Sequence, residues 1–293
     1  MKLYQIADLE RLTGIKAHTI RIWEKRYNLI QPERTSTNIR RYTDAQVKKL
    51  LNVSTLLSKG YKISKIAALK EKQIFQVIKD IQENGNDDVI CTSFINNLAS
   101  AMLTFNEQAF EKTYAAIINR FGVFNSMLKV IYPLLHKIGL MWVVNDVTPV
   151  QEHFASCIIK RKLMAAIDGL SIPKNKKKKF LLLMPPGEWH EISLLFANYM
   201  IKSKGFETIY LGQNVPYENI APILKATKPN FILIFFITTQ NSTDVYFQLK
   251  ENLRLPKGVT LLISGNPTIT SYLKTKQSAT ILQSPHNLLS YLQ

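Results

Sequence analysis

Glu188-Trp189-His190 stands directly after the apolar run Phe180-Leu181-Leu182-Leu183-Met184. An imidazole at the carboxyl end of a strand can ligate a metal through one ring nitrogen. A carboxylate two residues earlier can hold the other nitrogen and so choose the tautomer. A second constellation is Trp142, then nine residues, then Glu152-His153. A large ring suits the cover of an apolar group, and a carboxylate suits hydroxyls. Taken singly, each piece also describes an ordinary loop histidine, a core tryptophan or an exposed helix start. A third set runs from Thr19 to Tyr27 and on to Arg40-Arg41-Tyr42. His18, Thr19, Arg21 and Lys25 can face a DNA groove while Ile20, Ile22 and Trp23 pack inward. Arg40, Arg41 and Tyr42 can clamp phosphate from a wing, contacts that position a protein more than they specify sequence.

The elements that position these residues follow from periodicity. Tyr4, Ile6, Ala7, Leu9 and Leu12 give a short helical face that Gly14 breaks, and Ala17–Tyr27 resumes it. Pro32–Arg41 is polar and aperiodic, as a loop or wing is. Thr43 is a helix N-cap ahead of Val47, Leu50, Leu51 and Val53. A further helix begins near Ser64, and the pattern continues to about Glu83. Asn84-Gly85-Asn86-Asp87 then marks a boundary. Residues 87–171 carry helical periods throughout, with Asn106 as an N-cap and helices over Val123–Met141 and Pro149–Leu170, so a four-helix bundle is expected. Ile172–Lys179 is a Pro/Lys-rich linker. Past it, Phe180–Met184, Glu207–Leu211, Phe231–Ile237 and Thr260–Ile263 are strand-like. Ile192–Lys202, Tyr217–Ala226 and Thr243–Leu253 are helix-like. That alternation predicts a parallel Rossmann-like (flavodoxin-like) sheet over 178–293, which binds ligands beyond the carboxyl ends of its strands. His190, Thr238, Thr239, Gly265 and Asn266 fall there. The expected fold class is multidomain α and α/β: winged helix-turn-helix (1–75), four-helix bundle (87–171), parallel sheet domain (178–293).

Composition narrows the function classes. The net charge of +17 favours a polyanionic partner. Residues 1–72 hold 16 Lys+Arg against 6 Asp+Glu, so basicity concentrates in the first quarter. Cys91 and Cys157 form no CxxC pair, which argues against a zinc module or a disulfide framework. The i, i+4 spacing of His153 and Cys157 reads better as packing than as a ligand pair. No segment approaches a membrane span and no cleavable leader stands at residues 1–8, so a cytoplasmic protein without a membrane partner is the expectation.

The run Thr19–Tyr27 with Arg40-Arg41-Tyr42 closely resembles the winged helix-turn-helix of MerR-type regulators over residues 3–72. Trp142…Glu152-His153 resembles the Trp-x9-Glu-His signature of the cobalamin-dependent, light-sensing MerR relatives. Glu188-Trp189-His190-Glu191-Ile192-Ser193 resembles the Asp/Glu-x-His-x-x-Gly motif of cobalamin-binding domains. The resemblance implies that His190 ligates cobalt, Glu188 orients it, Trp142 covers the adenosyl group of adenosylcobalamin, and Glu152 and His153 line its pocket. It further implies a cofactor held between bundle and sheet domain, a cofactor-bound tetramer on a double-stranded DNA operator, and repression released by light, with no enzyme activity.

The chain departs from that pattern in three places. Ser193 stands for the family's Gly, Thr238-Thr239 for its Ser-containing element, and Gly265-Asn266 for a Gly-Gly pair. A side chain at Asn266 narrows the path expected for the cofactor's nucleotide tail. A cofactor-free MerR-type regulator under a protein partner, or one using a different tetrapyrrole, therefore stays open. A cobalamin-dependent methyltransferase module is the remaining alternative, with no further catalytic domain in the chain to serve it. The sign of regulation is not decided by these residues.

Overall fold

The computed structural model describes residues 3–84, 87–143, 147–171, 175–238, 240–253, 255–276 and 279–293. Two compact units divide the chain, Met1–Ile158 and Ile159–Gln293.

The first unit opens with α1 (Ile6–Thr13) and α2 (Ala17–Tyr27). Gly14, at φ 72°, takes the left-handed turn that ends α1 and redirects the chain. Two short antiparallel strands, β1 (Glu33–Arg34) and β2 (Arg40–Arg41), form the wing. Thr43 and Gln46 make a reciprocal capping box at the start of α3 (Asp44–Ser58), as the sequence pattern requires. Helices α4 (Ile63–Ala67) and α5 (Glu71–Asn84) follow. Leu9, Leu12, Ile20, Tyr42 and Leu50 are buried together in this region, each apolar side chain contributing roughly 1.5–3 kcal/mol.

One expected inward residue is not inward: Ile22 is 52% exposed. The reason is angular. Residues two positions apart on a helix lie about 200° apart around its axis, so Ile22 cannot share the face of the buried Ile20, whereas Trp23 can.

The helical region continues with α6 (Asp87–Leu103), α7 (Glu107–Ser126), a π-helical turn Met127–Ile131, α8 (Tyr132–Val143) and α9 (Pro149–Asp168). The Asn106 side chain caps α7 by accepting from the Ala109 amide. The helix expected from Val123 is composite. Gly122, at φ 68°, breaks α7, and the chain then passes through the π turn into α8. Helix α9 runs through the boundary between the units, so the winged helix-turn-helix and helices α6 to α8 lie in one unit rather than two.

The second unit is a parallel sheet. Its strands are β3 (Asn175–Leu183), β4 (Phe206–Gly212), β5 (Phe231–Phe236), β6 (Thr260–Gly265) and β7 (Thr280–Leu282), in the order β4-β3-β5-β6-β7. Helices α10 (Ile192–Ser203), α11 (Ile220–Thr227), α12 (Ser242–Asn252), α13 (Pro267–Thr275) and α14 (Pro285–Leu289) connect and cover them. This is the flavodoxin-like arrangement that alternating strands and helices imply. Leu181, Leu183, Ile232, Ile234 and Ile263 pack one face against Ile220, Val245, Leu249 and Ile269.

The Lys-rich linker gives way to strand earlier than expected. Residues 175–179 already belong to β3; the Lys178 ammonium donates to the Tyr291 and Gln293 carbonyls, and Lys179 pairs with Glu207 at 3.1 Å. β7 and α14 are too short to carry a period of their own.

Gly265 sits at φ 121°, where a Cβ would lie 1.9 Å from the Phe236 carbonyl oxygen. Its glycine is thus required by the β5–β6 backbone approach itself. Gly265→Ala is expected to lower stability by at least about 1–3 kcal/mol or to abolish soluble expression, read by thermal melting.

Candidate functional site

Glu188 is fully buried at the end of β3, and its carboxylate receives six hydrogen bonds. Oε1 accepts from the backbone amides of Trp189 (3.1 Å) and His190 (3.3 Å) and from His190 Nδ1 (2.8 Å). Oε2 accepts from the amides of Ile237 (2.8 Å) and Thr238 (2.7 Å) and from Thr238 Oγ1 (2.8 Å). Burial by itself would push this carboxyl up. The bonds from His190, Thr238 and Ile237 outweigh it and hold the pKa at about 2.

An ionised carboxylate only accepts, so the proton on the shared bond belongs to His190 Nδ1. With that proton on Nδ1, Nε2 is the ring atom a metal would take. The His190 side chain is 56% exposed. Around it, the Gly187 turn (φ 78°) is pinned by Asn214, whose Oδ1 accepts from the Gly187 amide while its own amide donates to the Glu188 carbonyl. Next along, Glu191 is buried; it accepts from the Tyr210 hydroxyl at 3.1 Å and lies 3.6 Å from the Lys160 ammonium. Burial and the Glu191 charge both raise the Tyr210 phenol.

Glu188, His190 and Thr238 thus meet as one cluster. Thr238 is spent on Glu188, and Thr239 lies outside the described residues. Ser193 occupies the first turn of α10. Asn266 donates its amide to the Phe236 carbonyl, and its side chain caps α13 by accepting from the Thr268 amide. Asn214, Ile237, Glu191 and Tyr210 escaped the sequence reading. Only the bulk of polar residues at strand ends could have flagged them, because backbone donors leave no mark in side-chain identity.

In the first unit, Glu152 and His153 stand in the first turn of α9 and pair at 2.7 Å, with the His153 side chain 73% exposed. The neighbouring Gln151 is buried and donates to the Leu103 carbonyl, which fastens the start of α9 to the end of α6. Trp142 falls in the last turn of α8, and its side chain lies outside the described set.

The DNA-reading face needs correction at the wing. Tyr42 is fully buried, its hydroxyl donates to Glu24 and its backbone pairs with Tyr4. Arg40 Nε binds the other Glu24 oxygen at 2.9 Å. These two residues brace the wing against α2, because a buried phenol and an arginine fixed to a buried carboxylate stabilise packing first. Tyr42 cannot clamp phosphate through its side chain. His18, Arg21 and Lys25 are exposed on α2 and Thr19 is half-buried there, while Arg41 is half-buried on β2.

Among the described residues, no group of three or more His, Cys, Asp or Glu could hold a bare metal ion. A single imidazole suits a metal that arrives with its other ligands, as cobalt in a corrin ring does. No described helix is long and apolar enough to cross a membrane.

Known proteins match these features. Residues 4–73 match the MerR HTH family regulatory protein family, and residues 94–166 match the B12 binding domain. The chain therefore joins a MerR-type helix-turn-helix to a B12-binding region, the architecture of a DNA-binding regulator with cobalamin. More particularly, it is similar to the HTH-type transcriptional repressor CarH of Myxococcus xanthus, 24% identical over 268 residues, spanning 90% of this chain and 89% of that protein. The HTH-type transcriptional repressor CarA of the same organism is 22% identical, over 89% of this chain and 86% of the relative. The fold of the Methanosarcina barkeri monomethylamine corrinoid protein matches with a TM-score of 0.56 at 15% identity, covering 68% of this chain and 96% of that one.

Two outcomes are expected. Glu188→Gln should cost roughly 1–3 kcal/mol at neutral pH by weakening charged hydrogen bonds. Because the folded pKa lies below the ordinary 4.5, the wild-type advantage is complete above pH 4.5 and is lost as pH falls toward 2, which melts across that range would show. Ile22→Ala should weaken operator binding about fourfold per buried methylene lost if this exposed side chain meets a thymine methyl. Uracil-for-thymine operators, titrated against both proteins, should then cost the wild type and spare the variant.

Proposed function

We propose that this chain is a transcriptional repressor, acting in the cytoplasm and not as an enzyme, whose hold on its operator is set by adenosylcobalamin and released by light. The observation that carries the reading is the Glu188-held His190 in a chain that begins with a MerR-type DNA reader. The donor set fits the cofactor: one imidazole of fixed tautomer for cobalt, and no competing cluster for a bare ion among the described residues. Bound adenosylcobalamin would supply a light-cleavable cobalt–carbon bond.

The protein's own residues would do the rest. His190 would hold the cobalt and Glu188 would keep its ring oriented. Trp142 covers the adenosyl group, with Glu152 and His153 lining the same pocket, roles that rest on the resemblance of their spacing. Arg21, Lys25, His18 and Thr19 meet the major groove, and Arg41 a phosphate. Cofactor-bound chains assemble as tetramers, so that several readers engage one operator and disassembly weakens binding.

A second reading, a cofactor-free regulator, draws on Asn266, whose capping bond keeps its side chain at the end of β6 where the family pattern has glycine. Adding adenosylcobalamin to the purified full chain in darkness separates the two. Retention of the chromophore, a larger assembly by light scattering and loss of that assembly on illumination are expected. His190→Ala should lose the photolysed cofactor on gel filtration. An unchanged spectrum and mass would leave the cofactor-free reading in possession.

A further inference from the structure

Inside the first unit, one polar chain crosses from the DNA-reading region to the B12-binding region. Asn96 on α6 is 5% exposed. Its Nδ2 donates to Thr55 Oγ1 at 3.1 Å and reaches the Leu51 carbonyl at 3.5 Å, both on α3. Its Oδ1 accepts from the Lys137 ammonium on α8 at 3.1 Å. Thr55 and Leu51 lie within the segment matching the MerR family, whereas Asn96 and Lys137 lie within the B12 binding domain match.

Leu51, Leu134 and Ile138 are buried on the helices that carry the bridge. Among the described residues no carboxylate pairs with Lys137. Burial, rather than a neighbouring charge, holds its pKa down to about 8. A cation drawn into such a place without a counter-ion costs stability that an apolar side chain would not. A bridge of this kind is also all-or-none. Removing the ammonium leaves Asn96 Oδ1 buried with no donor, so α6, α3 and α8 prefer to be jointly engaged or jointly loosened.

We propose that Lys137–Asn96–Thr55 is the element that transmits the state of α8 to the DNA reader. Helix α8 carries Trp142 in its last turn, five residues beyond Lys137. A shift of α8 that withdraws Lys137 unseats the Asn96 amide and loosens α3, whose packing against α1 positions the reading helix α2. The inference rests on the cofactor reading above for what moves α8. Lys137, Asn96 and Thr55 are positioning residues and touch neither DNA nor cofactor.

The test uses the full chain and a duplex selected by that chain from a random-sequence library. Operator affinity is measured with adenosylcobalamin in darkness and again after illumination. Lys137→Met is expected to keep the dark absorption spectrum and cofactor retention. Its dark-to-light affinity ratio should shrink about tenfold, the size of one buried hydrogen-bond requirement lost. Lys137→Arg, which keeps a cationic donor, should recover part of the ratio. Thr55→Val, which severs the other end, should lower the ratio likewise and serves if the Lys137 variant does not fold. Wild-type ratios in both Lys137→Met and Thr55→Val would overturn the relay alone. A wild-type protein that binds cofactor yet shows no change of affinity would overturn the relay and the cofactor reading together.

Discussion

The buried carboxylate of Glu188 is the interaction on which the cofactor end of this protein depends. It lies where the carboxyl ends of β3 and β5 come side by side, and it ties them together through six donors. A charge placed inside a domain is normally unfavourable, and here the hydrogen bonds more than offset that cost. The result is a rigid imidazole of defined tautomer at a strand end that parallel sheets leave open for ligands.

The DNA end obeys the same logic with opposite exposure. Glu24 on α2 is shared by Arg40 and Tyr42, so the wing and the reading helix form one body. That bracing frees His18, Arg21 and Lys25 to stay at the surface. Ile22 is exposed among them, an apolar tip on a basic face. Between the ends, Asn96 links the helix that supports the reader to the helix that carries Trp142. Glu188, Glu24 and Asn96 thus each tie separate elements together through a polar side chain.

Much of this was legible in the residues. Helix starts at Thr43 and Asn106, the break at Gly14, and the strands of the sheet follow from local rules that act within a few residues of each other. Glu188 and His190 could be paired on paper because they are two residues apart. Ile22, Tyr42 and the lysine run were misplaced for a common reason: local pattern does not say which side of an element a neighbour will cover. Tyr42 is inward because Tyr4 and Glu24 arrive from distant positions. Gly265 looked like an allowance for a ligand, yet the carbonyl of Phe236 already demands it.

By itself the sequence determined the types of its elements and singled out the residues proposed to ligate, cover and read, because those depend on side-chain chemistry and short-range spacing. The tertiary structure alone decided the ionised state of Glu188, the burial of Tyr42 and the bridge through Asn96. Those depend on donors brought together from 49, 50, 18 and 41 residues away, and no local rule counts across such distances.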